Sequence, residues 1–398
     1  MSKICVTGIG VISAIGNSVA ENREALINNK CGITSLEFIF SKYSGKLPAG
    51  EIKISTNFLK QKLGIHTQGV TRTTLLAIHA FDEAISNAKI TGEELGAYDT
   101  AFIGASTVGG MCLTEELYHD ANKRENGSEY LSSYECSSVN LFLQAHYKIG
   151  GIVNTINTAC SSSANAIMYG ARLIKSGRAK RAIVGGADSL AKFTINGFNS
   201  LHILSNEICT PFDEHRKGLN LGEGAAFLVL EKEEDCKNKK VYGYVSGYCN
   251  ANDAFHPSSL SEQGDGPYAA MSGALKSANL APDKINFINT HGTGTENNDE
   301  VESRAMMRLF DKPPAFSSTK SNIGHTLGAA GAIEAVYSIL NLEQQEVYAS
   351  LNFKKPIAIT GLKPVSKYTK TPIENVMSNS FGFGGNCTSL IFSKHQQK

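Results

Sequence analysis

The sequence predicts an α/β protein in which strands and helices alternate along the chain. Short runs rich in β-branched residues recur between longer segments whose apolar residues have helical spacing, and glycine pairs such as Gly109-Gly110 and Gly185-Gly186 follow some of the short runs. Such runs predict buried strands that end in tight turns, and the longer segments predict amphipathic helices. Together they favour sheets covered by helices.

The predicted elements lie on both sides of one charged stretch, Glu231–Lys240, which is either a seam between two halves or a solvated loop. The strands expected are Ile4–Thr7, Ala101–Ala105, Ile152–Asn157, Ala182–Val184, Ala225–Glu231, Val241–Tyr248, Ile285–Thr290 and Thr388–Phe392. The helices expected are Asn17–Asn28, Val70–Ala88, Ser163–Lys175, Pro267–Ala278, Asp299–Phe310 and Ala329–Leu342.

Composition narrows the class of protein. The 398 residues are 41% hydrophobic, enough for a large core, and the formal net charge of +1 gives no overall field for nucleic acid. None of the nine cysteines forms a C-x-x-C pair, which predicts reduced thiols in a cytoplasmic protein. Gly8 and Gly10 interrupt the first apolar run, so we expect no signal peptide, and no run reaches the about 18 apolar residues of a membrane span.

One cysteine is distinguished by its neighbours. Cys160 lies in N-T-A-C-S-S-S-A-N-A, between the strand that ends at Asn157 and the helix that starts at Ser163. The first N–H groups of a helix and its dipole favour a thiolate at such a point, and small neighbours leave space for a substrate. From this segment alone, Cys160 is either a nucleophile or a small buried residue at a strand–helix junction.

Two histidines and a lysine lie in glycine-rich turns further along the chain. N-T-H-G-T-G-T places His291 at the end of a strand, and S-S-T-K-S-N-I-G-H-T-L-G-A-A-G-A carries Lys320 and His325 in a loop that opens a helix. A last glycine loop, N-S-F-G-F-G-G-N, follows. A cysteine with two histidines is a nucleophile and acid–base set. The same three residues could bind zinc, although no H-E-x-x-H or paired-cysteine spacing supports zinc.

These four motifs, in this order, resemble those of the elongating β-ketoacyl-acyl-carrier-protein synthases, and the resemblance runs from V-T-G-I-G-V-I-S-A-I-G-N at Val6 to S-L-I-F at Phe392. It implies the thiolase fold, with two similar α/β halves in five αβαβα layers, here residues 1–240 and 241–398. It also implies a homodimer, or a heterodimer with a subunit of the chain-length-factor type, that acts on malonyl- and acyl-carrier proteins. Phosphopantetheine would arrive on the acyl carrier protein, so no resident cofactor and no metal are expected.

The activity implied is a decarboxylating Claisen condensation that gives 3-oxoacyl-acyl-carrier protein and CO2, in fatty-acid or polyketide and polyene biosynthesis. Cys160 would accept the acyl group. His291 and His325 would bind the carbonyl of the malonyl thioester and assist its decarboxylation. Lys320 would support His325 electrostatically.

The resemblance also implies roles for the surrounding residues. Glu302 and Glu334 would be partners of the buried Lys320 charge. The backbone N–H groups of Cys160 and Phe383 would form the oxyanion hole. The pantetheine arm would contact Thr293 and Thr295. The acyl tunnel would be lined by Val108, Phe198, Phe381 and Phe383.

Three segments depart from the family pattern. Cys387 stands where the family often has asparagine after the last glycine loop. The bulky segment Lys192–Phe198 falls where the tunnel wall would pass, and the loop Ser205–Cys209 lacks the basic residues that a carrier-docking surface would use. Cations that end a helix explain part of the basic sequence equally well. The candidates for docking are Lys60, Lys62, Arg72, Arg172, Lys175, Arg178, Lys180 and Arg181.

Two other classes of protein share many of these features. A catalytically silent partner of the chain-length-factor type would have the same fold, but such partners typically lack the cysteine that this chain retains at Cys160. A thiolase that acts on coenzyme A thioesters would use a second cysteine as a base. Here the last glycine loop has phenylalanine and Asn386 before Cys387, and no G-H-P loop is present.

Overall fold

A computed structural model describes residues 3–67, 69–123, 128 and 131–395. Their strands are β1 (Ile4–Ser13), β2 (Thr100–Ala105), β3 (Val153–Ile156), β4 (Arg181–Asp188), β5 (Gly224–Lys232), β6 (Gly243–Asn252), β7 (Phe287–Asn289), β8 (Ala315–Ser317), β9 (Glu346–Val347), β10 (Thr369–Lys370), β11 (Asn375–Phe381) and β12 (Asn386–Ser393). Their helices are α1 (Val19–Ile27), α2 (Thr56–Leu63), α3 (Arg72–Asn87), α4 (Gly92–Gly96), α5 (Thr114–Ala121), α6 (Leu131–Tyr134), α7 (Ser137–Tyr147), α8 (Ser162–Lys175), α9 (Lys192–Ser200), α10 (Asp265–Ala278), α11 (Glu296–Leu309), α12 (Lys320–Ile323) and α13 (Ala330–Gln344).

The main sheet consists of two equivalent halves. Among the described strands its order is β3-β2-β4-β5-β1-β6-β12-β11-β7-β8. The halves meet where β1 pairs with β6, Cys5 opposite Tyr244 and Val6 opposite Gly243. Outward from this junction, each half has two antiparallel pairs followed by two parallel pairs. The second half of the sheet therefore repeats the strand pairing of the first half. The boundary between residues 240 and 241 stays a prediction.

Helices cover both halves of the sheet in layers. Outside the first half, α3 packs on β1 and β5, and Phe81, Phe102 and Phe227 form part of the buried cluster there. Between the halves, α8 and α13 contact each other in a second cluster that contains Ile167 and Val336. Outside the second half, α10 and α11 pack together. The result is the predicted succession of five layers.

The two central helices are rich in small residues because both are enclosed. A helix that is buried on all sides has no polar face, and every residue of α13 from Ala330 to Leu342 is buried. A Cβ on Gly331 would lie 2.7 Å from the backbone nitrogen of Ala164 in α8. The two helices therefore approach closely, and their N-termini meet at the same place between the halves.

Strand β11 has no clear signal in the sequence. It reads N-V-M-S-N-S-F, which is polar for a buried strand. Asn379 in this strand is satisfied by partners in other elements: it donates to Glu302 at 3.1 Å and accepts from Ser389 at 2.8 Å. Buried polar groups are tolerated when they are paired in this way. Among the described residues, no helix is long and apolar enough to cross a membrane.

Candidate active site

Cys160 lies in a strained turn between β3 and α8. The preceding Ala159 has φ of +54°, a left-handed conformation that costs a residue with a Cβ about 1–3 kcal/mol. Two serines stabilise this turn. Ser162 Oγ accepts from Thr158 N at 2.9 Å, and Ser161 Oγ donates to Thr158 O at 2.8 Å. The serines after the cysteine therefore shape the turn that places the thiol at the start of α8.

The Cys160 thiol is buried and neutral near pH 7. Burial raises its pKa to about 11, although the Lys320 charge and the N–H groups of Phe383 and Cys160 itself act in the opposite direction. The sequence predicts a thiolate at the helix N-terminus, and the structure corrects this because desolvation outweighs the helix dipole. His325 Nε2 lies 3.0 Å from Cys160 Sγ and is placed to exchange a proton with it.

His291 follows β7 in a turn that only glycine can continue. Gly292 has φ of +38°, and a Cβ there would lie 2.6 Å from the Cβ of Ser318. Glu302 of α11 accepts from the N–H groups of His291 and Gly292, both at 2.9 Å. Burial raises the pKa of Glu302 to about 7. Its carboxylate therefore holds the histidine backbone and does not pair with Lys320, which corrects the predicted role.

Lys320 is 1% exposed and makes its contacts to His291 and Glu334. Its ammonium forms an ion pair with Glu334, as the sequence predicts, and donates to His291 O at 2.6 Å. It also lies 3.4 Å from His291 Nδ1. Lys320 thus contacts His291 directly, while its charge also acts on His325, the histidine that the resemblance implies it supports. A donor beside Nδ1 favours the tautomer of His291 with its proton on Nε2.

His325 is fixed through its backbone. Its N–H donates to Asn220 O at 2.7 Å, and its carbonyl accepts from Gly222 N at 2.9 Å. The rings of His291 and His325 are nearly perpendicular, with centroids 5.4 Å apart. Burial, with the charge of Lys320, lowers the pKa of both imidazoles well below the usual range. Both rings are therefore neutral, so each has one N–H donor and one acceptor.

The surroundings of this cluster do not fit zinc. Cys160, His291 and His325 offer ligand atoms that lie within 4.8 Å of one another. Zinc-binding histidines normally donate their other N–H to an acceptor. Here the second nitrogen of His291 faces the ammonium of Lys320, which would also repel a divalent cation. Nδ1 of His325 has no partner among the described residues.

A cavity of about 440 Å³ reaches the cluster. Cys160, His291 and His325 line it. So do the following residues predicted for the arm and the tunnel: Phe198, Thr293, Thr295, Phe381 and Phe383. The hydroxyls of the two threonines lie 2.9 Å apart. Val108, also predicted for the tunnel, does not line this cavity in the described part of the chain; it is buried in an apolar cluster against which Phe198 packs.

The last glycine loop brings a second N–H group to the thiol. A Cβ on Gly382 would lie 2.7 Å from Thr158 O and 3.2 Å from Cys160 N, so a larger residue would push the loop away from the nucleophile. The N–H groups of Phe383 and Cys160 both act on the thiol and lower its pKa, so both face the sulfur. Their use as the two donors of an oxyanion hole stays a prediction.

The outer part of the cavity contains residues that the sequence motifs do not single out. They are Leu201, His202, Lys217, Ser258, Ser259, Glu296, Asn297 and Asn298. Lys217 lies in P-F-D-E-H-R-K-G-L-N-L-G-E-G-A, a further run that resembles the family pattern and that could have indicated it. Ser258 and Ser259 carry no such signal, because their place at the cavity depends on the fold of a long loop.

Two of the predicted docking residues are unavailable to a partner. Arg72 is buried in an ion pair with Glu223 at 2.6 Å. Arg181 is buried between Glu231 at 2.8 Å and Glu94 at 2.6 Å. Their charges are neutralised inside the protein, which corrects the prediction. The predicted docking residues at the C-terminal end of α8, such as Lys175, lie about 20 Å from Cys160. This distance follows from the rise of 1.5 Å per residue over the 14 residues of the helix.

Fold and site together define an acyl-transferring enzyme with a buried cysteine and two neutral histidines at its cavity. The chain belongs to the β-ketoacyl synthase family, whose N-terminal domain matches residues 1–236 and whose C-terminal domain matches residues 242–354. This confirms the family that the motifs indicate.

Relatives with this likeness over the full chain include named enzymes. The putative mitochondrial 3-oxoacyl-[acyl-carrier-protein] synthase of Schizosaccharomyces pombe is 33% identical over 100% of both chains. The 3-oxoacyl-[acyl-carrier-protein] synthase 2 of Synechocystis is 31% identical over 99% of this chain and 98% of the relative. The structure of the ishigamide ketosynthase/chain length factor has a TM-score of 0.93 and 27% identity over 99% of each chain. These comparisons confirm the thiolase-type fold.

Proposed function

We propose that the protein condenses an acyl group held on Cys160 with malonyl-acyl-carrier protein, giving 3-oxoacyl-acyl-carrier protein and CO2 in fatty-acid or polyketide and polyene biosynthesis. The observation that carries this proposal is the 3.0 Å contact between Cys160 Sγ and His325 Nε2, with His291 beside them at the inner end of the cavity. A thiol, two neutral imidazoles and a pair of N–H donors are the groups that this reaction needs.

The first half-reaction loads the acyl group. Cys160 Sγ attacks the thioester carbonyl, the new C–S bond forms, and the bond to the pantetheine sulfur of the carrier breaks. The thiol proton passes through His325 Nε2 to the departing thiolate. The carbonyl oxygen becomes negative in the tetrahedral intermediate and accepts hydrogen bonds from the N–H groups of Cys160 and Phe383.

The second half-reaction forms the carbon–carbon bond. Malonyl thioester loses CO2, and the electron pair of the broken C–C bond becomes an enolate whose oxygen accepts from the Nε2–H groups of His291 and His325. His325 carries its proton on Nε2 in this step and on Nδ1 during loading, and both tautomers are open to it because its Nδ1 has no partner among the described residues. The enolate carbon attacks the acyl group, the bond to Cys160 Sγ breaks, and the released thiolate takes up one proton from solvent to restore the thiol. Lys320 keeps the proton of His291 on Nε2 by occupying its Nδ1 side. These steps draw on side chains and on the pantetheine of the carrier, so we propose no resident cofactor or metal.

The same contacts favour an active condensing enzyme over the two alternatives. A silent chain-length-factor-type subunit would not need Cys160 in contact with His325. A thiolase would need a second cysteine near the first, but Cys387 is fully buried in an apolar cluster with Leu260 and Phe381. Burial also raises the pKa of the Cys387 thiol far above its usual range, which is unsuited to a base.

We further propose a homodimer joined through β3, in the cytoplasm. β3 is the outer strand of the sheet, and its free edge is a template for pairing with another strand. Ile152 before it is 37% exposed, and Leu141 on the adjacent α7 is 56% exposed. All nine cysteines are free, which supports a reducing compartment. Light scattering of the pure chain should give twice 42.7 kDa; a monomer would favour a heterodimer with a chain-length-factor-type subunit.

The two half-reactions should separate under mutation. Cys160→Gln removes the thiol but leaves a side chain of similar length to an acylated cysteine, so we expect no acyl-enzyme, no 3-oxoacyl product and retained decarboxylation of malonyl-carrier protein. His325→Ala should still take up acyl groups in part and should decarboxylate poorly. Intact-mass spectrometry and release of labelled CO2 measure the two steps, with Cys249→Ser as a thiol control. Elongation by the glutamine variant would overturn the proposal.

A further inference from the structure

The side chain of Asn386 joins the last glycine loop to α8, the helix that follows Cys160. Its Oδ1 accepts from Ser161 Oγ at 2.8 Å, from Asn165 Nδ2 at 2.9 Å and from Asn250 Nδ2 at 2.6 Å. Ser161 and Asn165 belong to the first turns of α8, directly after the nucleophile. Ser161 has a single hydroxyl proton, which it shares between Asn386 and Thr158 O. Asn386 therefore holds this turn through two side chains, those of Ser161 and Asn165.

The backbone of Asn386 holds the other side of the site. Its carbonyl accepts from Gly382 N at 2.8 Å, and Gly385 N donates to Gly382 O at 3.2 Å. These bonds close a tight loop in which Phe383 follows Gly382 directly. Asn386 thus bonds through its main chain to the loop that carries the Phe383 N–H, and through its side chain to the helix that carries the Cys160 N–H.

We propose that Asn386 is a positioning residue that sets the separation of the two N–H donors of the oxyanion hole. The inference rests on the proposed function and deepens it. The family often has asparagine one position later, but the residue there, Cys387, points into an apolar cluster and cannot make these bonds. In this chain Asn386, the residue before Cys387, links the last glycine loop to α8.

The proposal predicts an effect on one half-reaction only. The tetrahedral intermediates of acyl transfer place their negative oxygen between the Cys160 and Phe383 N–H groups. The enolate formed by decarboxylation is held by the two histidines, to which Asn386 makes no contact in the described structure. Loss of one oxyanion donor slows catalysis by about 10²–10³-fold, and displacement of a donor that stays present should cost less, about 10- to 100-fold.

The test compares Asn386→Ala with Asn250→Ala. Asn250 belongs to the same polar cluster and donates to Asn386, to Thr388 Oγ1 at 2.8 Å and to Asn165 Oδ1 at 3.2 Å, but it contacts neither Gly382 nor Ser161. The rate of acyl-enzyme formation from acyl-carrier protein is followed by intact mass. Decarboxylation of malonyl-carrier protein is measured with each change placed in the Cys160→Gln background. Asn386→Ser, which retains a smaller acceptor, is a second variant with an intermediate expected loss.

We expect acylation to fall about 10- to 100-fold in Asn386→Ala, with decarboxylation unchanged within about twofold and Asn250→Ala close to the parent in both. Unchanged acylation in the Asn386 variants would overturn the inference. So would an equal loss in both half-reactions, or an equal loss in Asn250→Ala, because either outcome means a general structural role. If Asn386→Ala does not fold, the ratio of the two rates in Asn386→Ser decides. A parent enzyme that neither acylates nor decarboxylates would contradict the proposed function instead.

Discussion

The rings of Phe198 and Phe383 are stacked, with centroids 5.8 Å apart and planes inclined by 16°. Phe198 belongs to α9 and to the buried apolar cluster that contains Val108 and Ile195, whereas Phe383 belongs to the loop that brings its N–H to Cys160. The stack therefore lies between the cavity and the apolar cluster behind it. We therefore expect an acyl chain that enters this cluster to separate the two rings.

Removal of the Phe383 ring should loosen this barrier without removing the oxyanion donor. We expect Phe383→Ala to acylate more slowly or with an altered preference between short and long acyl chains, because an offset aromatic pair contributes about 0.5–1.5 kcal/mol beyond its buried area. Acylation rates over a series of acyl-carrier proteins measure the preference. Phe193→Ala, on the same helix as Phe198 and 54% exposed, is the control. A Phe383→Ala profile identical to the parent would remove the gating role.

Changes to the buried pair of Lys320 and Glu334 should compensate each other in the stability of the protein, but not in its decarboxylation activity. Breaking a buried ion pair by removal of one partner costs about 3–5 kcal/mol, and we expect Lys320→Met to lower the Tm strongly. Lys320→Met combined with Glu334→Gln should regain part of that loss, because no unpaired charge remains. Decarboxylation should stay impaired in both, since His291 loses the donor at Nδ1. Calorimetry and CO2 release are the measurements, and normal decarboxylation by Lys320→Met would contradict the assigned role.

The neutral state of His325 should appear in the pH dependence of folding. Its pKa is lowered well below the value of about 6.5 in an unfolded chain. Below that pH the unfolded chain binds a proton that the folded chain does not, so this contribution to stability is present above pH 6.5 and lost on acidification. The loss is about 1.4 kcal/mol per pH unit.

His325→Gln removes that titration. The unfolding free energy of the parent minus that of the variant should therefore fall by about 1.4 kcal/mol between pH 6 and pH 5. Urea denaturation at both pH values gives the difference, and contributions from all other groups largely cancel in it. A difference independent of pH would mean that His325 is protonated in the folded protein.

The carrier protein should respond to charge at the cavity and not to charge at the far end of α8. We expect an acidic carrier protein to meet Lys217, which lines the cavity and pairs with Glu207 at 2.6 Å. We expect Lys217→Glu to raise KM for acyl-carrier protein at low salt, with a smaller difference at high salt. Lys175→Glu, at the end of α8, is the matched reversal and should have little effect. A larger effect of Lys175→Glu would place docking at that helix end.

The sequence by itself indicates the fold class, the family and the chemical groups, because each signal is local. The run from Asn157 to Ala166 contains a strand end, a turn of small residues and a helix start, and these are the features that place Cys160 at a helix N-terminus. His291 and His325 are equally marked by glycines in their own turns. Local patterns do not predict polar strands such as β11, because partners in other elements, such as Glu302, satisfy Asn379.

The tertiary structure alone decides which of these groups touch and in what state. Cys160 and His325 are 165 positions apart, so their contact depends on how two halves of the sheet enclose α8 and α13. The same packing places Lys320 against His291, sets Glu302 beside backbone N–H groups and buries Arg72. Enclosure also removes water, which keeps the Cys160 thiol and both imidazoles neutral. Charge and contact at this site follow from desolvation and long-range packing, which no short segment of sequence contains.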